Sequence, residues 1–128
     1  MFYLLTLALF FVGYLFIRAE FVSLTLMVEV PDYTPDRVYL IGNLASLGKW
    51  KRFQKKLEKV DERTYKTQLR VPRNQEINFK VSLGDWRSIQ KNKRFGEVSN
   101  NTLLAEKSGI HHFTVENFGG FECESESH

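Results

Sequence analysis

Two indoles and one amine are the side chains of this sequence best suited to chemistry. Trp50 ends the run Gly42-Asn-Leu-Ala-Ser-Leu-Gly-Lys-Trp50, a turn with a glycine near each end that follows a strand-like stretch. Trp86 closes Leu83-Gly-Asp-Trp86, again directly after a strand-like stretch, and Lys80 stands beside Phe79 inside that stretch. A flat indole face takes up the patches of axial C–H groups on a sugar ring, worth roughly 0.5–1.5 kcal/mol per aromatic contact beyond the area buried. A neighbouring amine would then hydrogen-bond the hydroxyls. The same two tryptophans also suit plain plugs at the ends of a core. The expectation is that Trp50 and Trp86 are both substantially exposed near one end of the fold with the Lys80 amine between them, and exposure and the effect of Trp→Ala on melting separate the two readings.

The elements that must carry these residues read as strands. In Ser23–Val30 the residues Leu24, Leu26 and Val28 alternate onto one face, and Pro31-Asp-Tyr-Thr-Pro35 then breaks the run. Further strands are expected at 37–42, 64–71 and 76–82, with shorter ones at 101–104 and 111–115. Short strands with polar breaks, and no amphipathic helix after residue 20, predict an all-β fold. The expectation is an immunoglobulin-like antiparallel β-sandwich of about 7–8 strands. Its core would take Leu24, Leu26, Val28, Val38, Leu40, Leu69, Val71, Ile77 and Phe79. The 128 residues, 43% hydrophobic and 14% aromatic, suffice for one such core. Domain limits are set at 1–19 for an N-terminal hydrophobic segment, 20–116 for the sandwich and 117–128 for an acidic flexible tail.

Residues 1–17 carry no charged side chain. That length exceeds most signal-peptide cores and falls short of the roughly 20 residues that span a bilayer. Ala19 preceded by Ile17 fits a cleavage site, which predicts a secreted or periplasmic mature chain beginning near Glu20. The alternative is an uncleaved membrane anchor through residues 1–17, with Arg18 and later basic residues holding the domain on the cytoplasmic side.

Several chemistries find no support. A single cysteine, Cys123, makes no internal disulfide and no zinc or redox motif. There is no Gly-x-Ser-x-Gly, phosphate loop or Cys/His arrangement, and no acidic pair marked as an acid/base couple. His111-His112 would alternate faces of a strand, which leaves a metal site without further ligands. The expectation is a chain that is not an enzyme, with no metal, no cofactor and no catalytic residue.

The ordered set Val28-Glu-Val-Pro31, Thr34-Pro35, Val38-Tyr-Leu-Ile-Gly42, Leu47-Gly-Lys-Trp50, Asn78-Phe-Lys80, Gly84-Asp-Trp86 and Glu97-Val-Ser-Asn-Asn-Thr-Leu103 resembles starch-binding domains of family 20, and similarly glycogen-binding domains of family 48. The resemblance covers roughly residues 22 to 115. It implies a non-catalytic module that binds α-glucan (starch, glycogen or maltooligosaccharide) by tryptophan stacking. It also implies a platform of Trp50, Lys80 and Trp86, with Asn100 bonding sugar hydroxyls. The chain departs from the family in reading Ser99-Asn100-Asn101 where many relatives have Pro-Asn-Arg. For a second sugar site only Tyr33 comes near a match, and none is assigned. Two other functions fit the same pattern: a protein-interaction sandwich that has lost sugar binding, and a targeting module detached from a glycan-active enzyme.

The formal charge is +3, too small to demand a polyanionic partner, and no nucleic acid is expected. Its placement is uneven. Lys49, Lys51, Arg52, Lys55, Lys56 and Lys59 crowd one segment, and Lys91, Lys93 and Arg94 crowd the loop after Trp86. This rim either keeps the domain solvated or favours an anionic or phosphorylated glucan. Asn100-Asn101-Thr102 also forms a glycosylation sequon.

Overall fold

The computed structural model describes residues 20–122. The hydrophobic segment expected at 1–19, and the end of the acidic tail, lie outside the described residues. Among the described residues there are ten strands, β1 (Phe21–Glu29), β2 (Tyr39–Gly42), β3 (Lys55–Lys56), β4 (Glu58–Asp61), β5 (Thr64–Pro72), β6 (Glu76–Ser82), β7 (Gln90–Lys91), β8 (Asn101–Leu104), β9 (Gly109–Thr114) and β10 (Asn117–Phe118). They form two four-stranded sheets, ordered β4-β5-β1-β9 and β3-β2-β6-β8, with the small pair β10-β7 beside them. This is the all-β sandwich that the alternation predicts.

Period-two patterning decides which faces meet. Leu24, Leu26 and Val28 of β1 are completely buried, and so are Val38, Leu40, Ile77 and Phe79, with Leu69 and Val71 nearly so. Side chains of both sheets therefore interdigitate in one core. Phe113 of β9 meets Phe79 edge-on, ring centroids 5.0 Å apart, and ties the sheets together across that core. Ile41 is also fully buried, yet it lies outside the inter-sheet cluster. Alternation turns it to the outer face of its sheet, opposite Lys80 in the β2-β6 register.

One pairing departs from the antiparallel expectation. β1 pairs with β5 antiparallel from Phe21↔Pro72 to Glu29↔Thr64, but with β9 in parallel from Leu24↔Gly109 to Glu29↔Thr114. The folded body also runs past the boundary set at residue 116. Asn117 and Phe118 pair with Lys91 and Gln90, and Phe118 is completely buried. The Phe118 N–H donates to the Tyr33 hydroxyl at 3.0 Å, and that hydroxyl donates to Asn117 Oδ1 at 2.7 Å. Burial in turn raises the Tyr33 pKa above the ordinary phenol value. A large apolar side chain outweighs the polar composition around it.

Candidate functional site

Lys80 stands within β6 itself, and the two tryptophans are delivered by loops anchored to the β2-β6 sheet. After β2, Asn43 clamps the chain to the neighbouring strand: its backbone N–H donates to Asn78 O, its amide Nδ2 to Glu76 O, and its Oδ1 accepts from the Asn78 N–H at 2.9 Å. Gly42 makes this approach possible, since a Cβ there would lie 2.3 Å from Asn78 O. The following 3-10 segment, Ala45–Trp50, is two short turns joined by a kink. Gly48, Lys49 and Trp50 stand successively at φ of 79°, 48° and 63°. Three left-handed residues in a row turn the backbone sharply, and the two that are not glycine are strained. Leu47, buried in the core, holds the segment down while Trp50 stays half-buried.

The loop that carries Trp86 is held by two serines and one aspartate. The buried Ser82 hydroxyl donates to Asp85 O at 2.5 Å and accepts from the N–H groups of Gly84 and Asp85. Asp85 Oδ1 accepts from both the Ser88 hydroxyl and the Ser88 N–H, each at 2.8 Å. The Ser88 hydroxyl, followed by the Ser88 backbone N–H, holds the Asp85 carboxyl below the ordinary carboxylate range. The result is a closed turn that projects the Trp86 side chain outward, 53% exposed.

Lys80 and Trp86 come together. They line one cavity of about 270 Å³ with Ile89, Gln90, Lys91 and Glu97. Lys80 lies on the outer face of its strand, opposite Ile41 in the β2-β6 register. Gln90, itself buried, is fixed because its Oε1 accepts from the Val81 N–H and the Asn101 amide. A second cavity of about 270 Å³ is lined by Arg37, Tyr39, Phe53, Leu83, Gly84 and Asp85. Phe53 meets Trp86 edge-on at 5.2 Å and 71°, so this aromatic pair borders both cavities. A roomier depression of about 420 Å³ lies elsewhere, among Lys55, Lys56, Glu58, Lys66, Thr67 and Gln68. It has no aromatic lining and offers no stacking surface.

The other two candidates are placed differently. Trp50 is half-buried where substantial exposure was expected, and the aromatic partner of Trp86 is Phe53. Asn100 is exposed just before β8 and does not line the Lys80–Trp86 cavity, whereas its neighbour Asn101 is turned back to Phe79 O and Gln90. The site also sits on the outer face of a sheet, where Lys80 lies opposite Ile41 in the register, rather than at a strand end. Sequence reasoning missed Phe53 and Tyr39. An aromatic three residues beyond Trp50, and one beside Leu40 in β2, were the signals available. Among the described residues no group of three or more His, Cys, Asp or Glu side chains gathers as a metal site.

Comparison with solved structures decides the fold. The chain superposes on the family 20 carbohydrate-binding module of the maltotetraose-forming amylase from Pseudomonas saccharophila with a TM-score of 0.56, at 20% identity, covering 73% of this chain and 99% of that one. Its fold is that of a family 20 carbohydrate-binding module. The chain also superposes on part of the family 15 glucoamylase of Hypocrea jecorina, with a TM-score of 0.60 and 17% identity over 76% of this chain and 17% of the enzyme. Among curated proteins, an amylopullulanase of Thermoanaerobacterium thermosulfurigenes is 30% identical over 89 residues, 69% of this chain. Another, of Thermoanaerobacter thermohydrosulfuricus, is 26% identical over 95 residues, 73% of this chain. The chain spans only 5% and 6% of the length of these two relatives. No protein-family model matches the sequence.

Proposed function

We propose that this chain is a non-catalytic module that binds α-glucan on the outer face of the β2-β6 sheet. The observation that carries the reading is the exposed indole of Trp86, braced edge-on by Phe53 and set over the cavity that holds Lys80. A glucose ring laid on the free indole face would bury apolar C–H surface against a side chain whose rotamer Phe53 already restricts. Pre-ordering of this kind lowers the entropic cost of binding. The Lys80 ammonium, with three donors and no acceptor, would reach ring hydroxyls at the edge of the indole. Trp50, three residues before Phe53 in the chain, would offer a further stacking face, and Asn100 would offer an outlying amide. The likeness to modules and segments of glucan-acting enzymes supports the same ligand class. Under this reading the N-terminal segment exports the chain to where such polymers lie outside the cytoplasm.

Electrophoresis of the full chain through a native gel cast with amylopectin tests the reading. Retardation relative to a gel without polysaccharide is expected, with maltoheptaose in the gel buffer relieving it. Unretarded migration in both gels refutes it.

A further inference from the structure

The segment 49–59 holds six basic side chains and one acidic one, a local excess of five positive charges against +3 for the whole chain. The remainder of the chain is thus net negative, and solubility alone gives no reason to gather the cations here. The ion pairs among the described residues are Lys59–Asp36, Arg63–Glu29 and Arg73–Glu20, which leaves Lys55, Lys56 and Lys66 outside any of them. These three lysines share one open groove of about 420 Å³ with Thr67, Gln68 and a single acid, Glu58. The groove runs from the edge strand of one sheet, β3, to the edge strand of the other, β4, and its inner neighbour β5. Its position relative to the sugar platform is fixed by register. Lys55 pairs with the inward-facing Leu40, whereas Lys56 pairs with Tyr39, which lines the platform cavity beside Phe53 and Arg37.

We infer that the glucan recognised here carries phosphate monoesters, and that the Lys55–Lys56–Lys66 groove receives them while the neighbouring aromatic platform holds the sugar rings. The inference rests on the glucan reading and narrows it. A neutral glucan makes no use of clustered ammonium groups, whereas a dianionic monoester offers three acceptor oxygens to lysine donors and to the Gln68 amide. Gln68, exposed on the same face of β5 as Lys66, adds a neutral donor, while Thr67 between them turns inward. A lipid surface fits less well, because Val60 of β4 is the one large hydrophobic side chain exposed within residues 49–61 and no apolar face accompanies it.

The test compares the full chain on phosphate-bearing amylopectin and on the same material after enzymatic dephosphorylation, at low ionic strength and in 0.3 M salt. About tenfold tighter binding to the phosphorylated polymer is expected, the effect of one charge-assisted contact, and salt should shrink the difference. The triple variant Lys55→Gln, Lys56→Gln, Lys66→Gln should lose that preference and keep wild-type binding to the dephosphorylated polymer. Equal binding to both polymers by the wild type overturns the inference and leaves the glucan reading standing. A preference that survives the triple variant overturns the groove as its site. Binding to phosphatidylserine vesicles without any phosphate preference among glucans overturns it in favour of a membrane role. If neither polymer binds, the glucan reading fails and this inference falls with it.

Discussion

Replacing Trp86 by alanine puts the two possible roles of an indole on one scale. Its 53% exposure leaves about half of the side chain covered by protein, on the order of 100 Å² for a residue of this size. At about 25 cal/mol per Å² that cover contributes no more than about 2.5 kcal/mol to the fold, and the edge-on pair with Phe53 adds up to about 1 kcal/mol. The free half offers a sugar ring a comparable area, again about 2.5 kcal/mol before any specific stacking, which corresponds to roughly seventyfold in affinity. Trp86→Ala should therefore melt lower but cooperatively, with a shift of about 10–15 °C for a body of this size. Its retention on amylopectin should fall by nearly two orders of magnitude. Affinity electrophoresis measured at a temperature where the variant is fully folded, checked by circular dichroism, separates these effects. A folded Trp86→Ala chain retained like the wild type would refute the platform, whatever its melting point.

Four further outcomes follow from the geometry. Gly42→Ala forces a Cβ to within 2.3 Å of the Asn78 carbonyl and should cost about 3 kcal/mol in urea unfolding, with the loop bearing Trp50 displaced. Lys49→Gly removes a strained left-handed residue and should raise stability by about 1 kcal/mol in the same assay. Phe118→Ala should cost about 3–5 kcal/mol, as a core aromatic does, and a loss under 1 kcal/mol would restore the flexible tail expected from residue 117. Asp85 is held below its ordinary value of 3.8, so its turn contributes stability at every pH above that value and loses it as pH falls through the lower folded value. Tryptophan fluorescence should accordingly stay flat from pH 7 to 5 and change only in stronger acid, a change that Asp85→Asn would abolish.

How much of this was legible depends on which forces left a periodic trace. Burial writes a period of two into a strand, so β1, β2, β5, β6 and the inward set from Leu24 to Phe79 could be read directly. β3 and β4 left no such trace, because Lys-Lys and Glu-Lys-Val-Asp lie at sheet edges where few side chains are buried. The parallel pairing of β9 with β1 is set by how two sheets close around one core, and no local signal encodes it. At the site, glycine-bearing turns correctly announced two loops that end in tryptophan. Which aromatic would lie against Trp86 was a matter of chain path across the sheet, and Phe53 arrives there through the left-handed turn at Gly48–Trp50. Phe118 was hidden by its glycines and acids, since composition averages over a window and one buried ring does not.

The position of β1 between β5 and β9 also sets a schedule for synthesis. This strand emerges first, yet its parallel partner is complete only at Thr114, 85 residues after Glu29. At about 5–20 residues per second a ribosome takes roughly 4–17 s to make that stretch. Throughout that time β1 has β5 on one edge at best, and its opposite edge exposes unpaired backbone N–H and C=O groups. The nascent chain thus presents a sticky open ribbon for seconds, a natural holding site for a chaperone and the place where a stalled or truncated product would begin to aggregate.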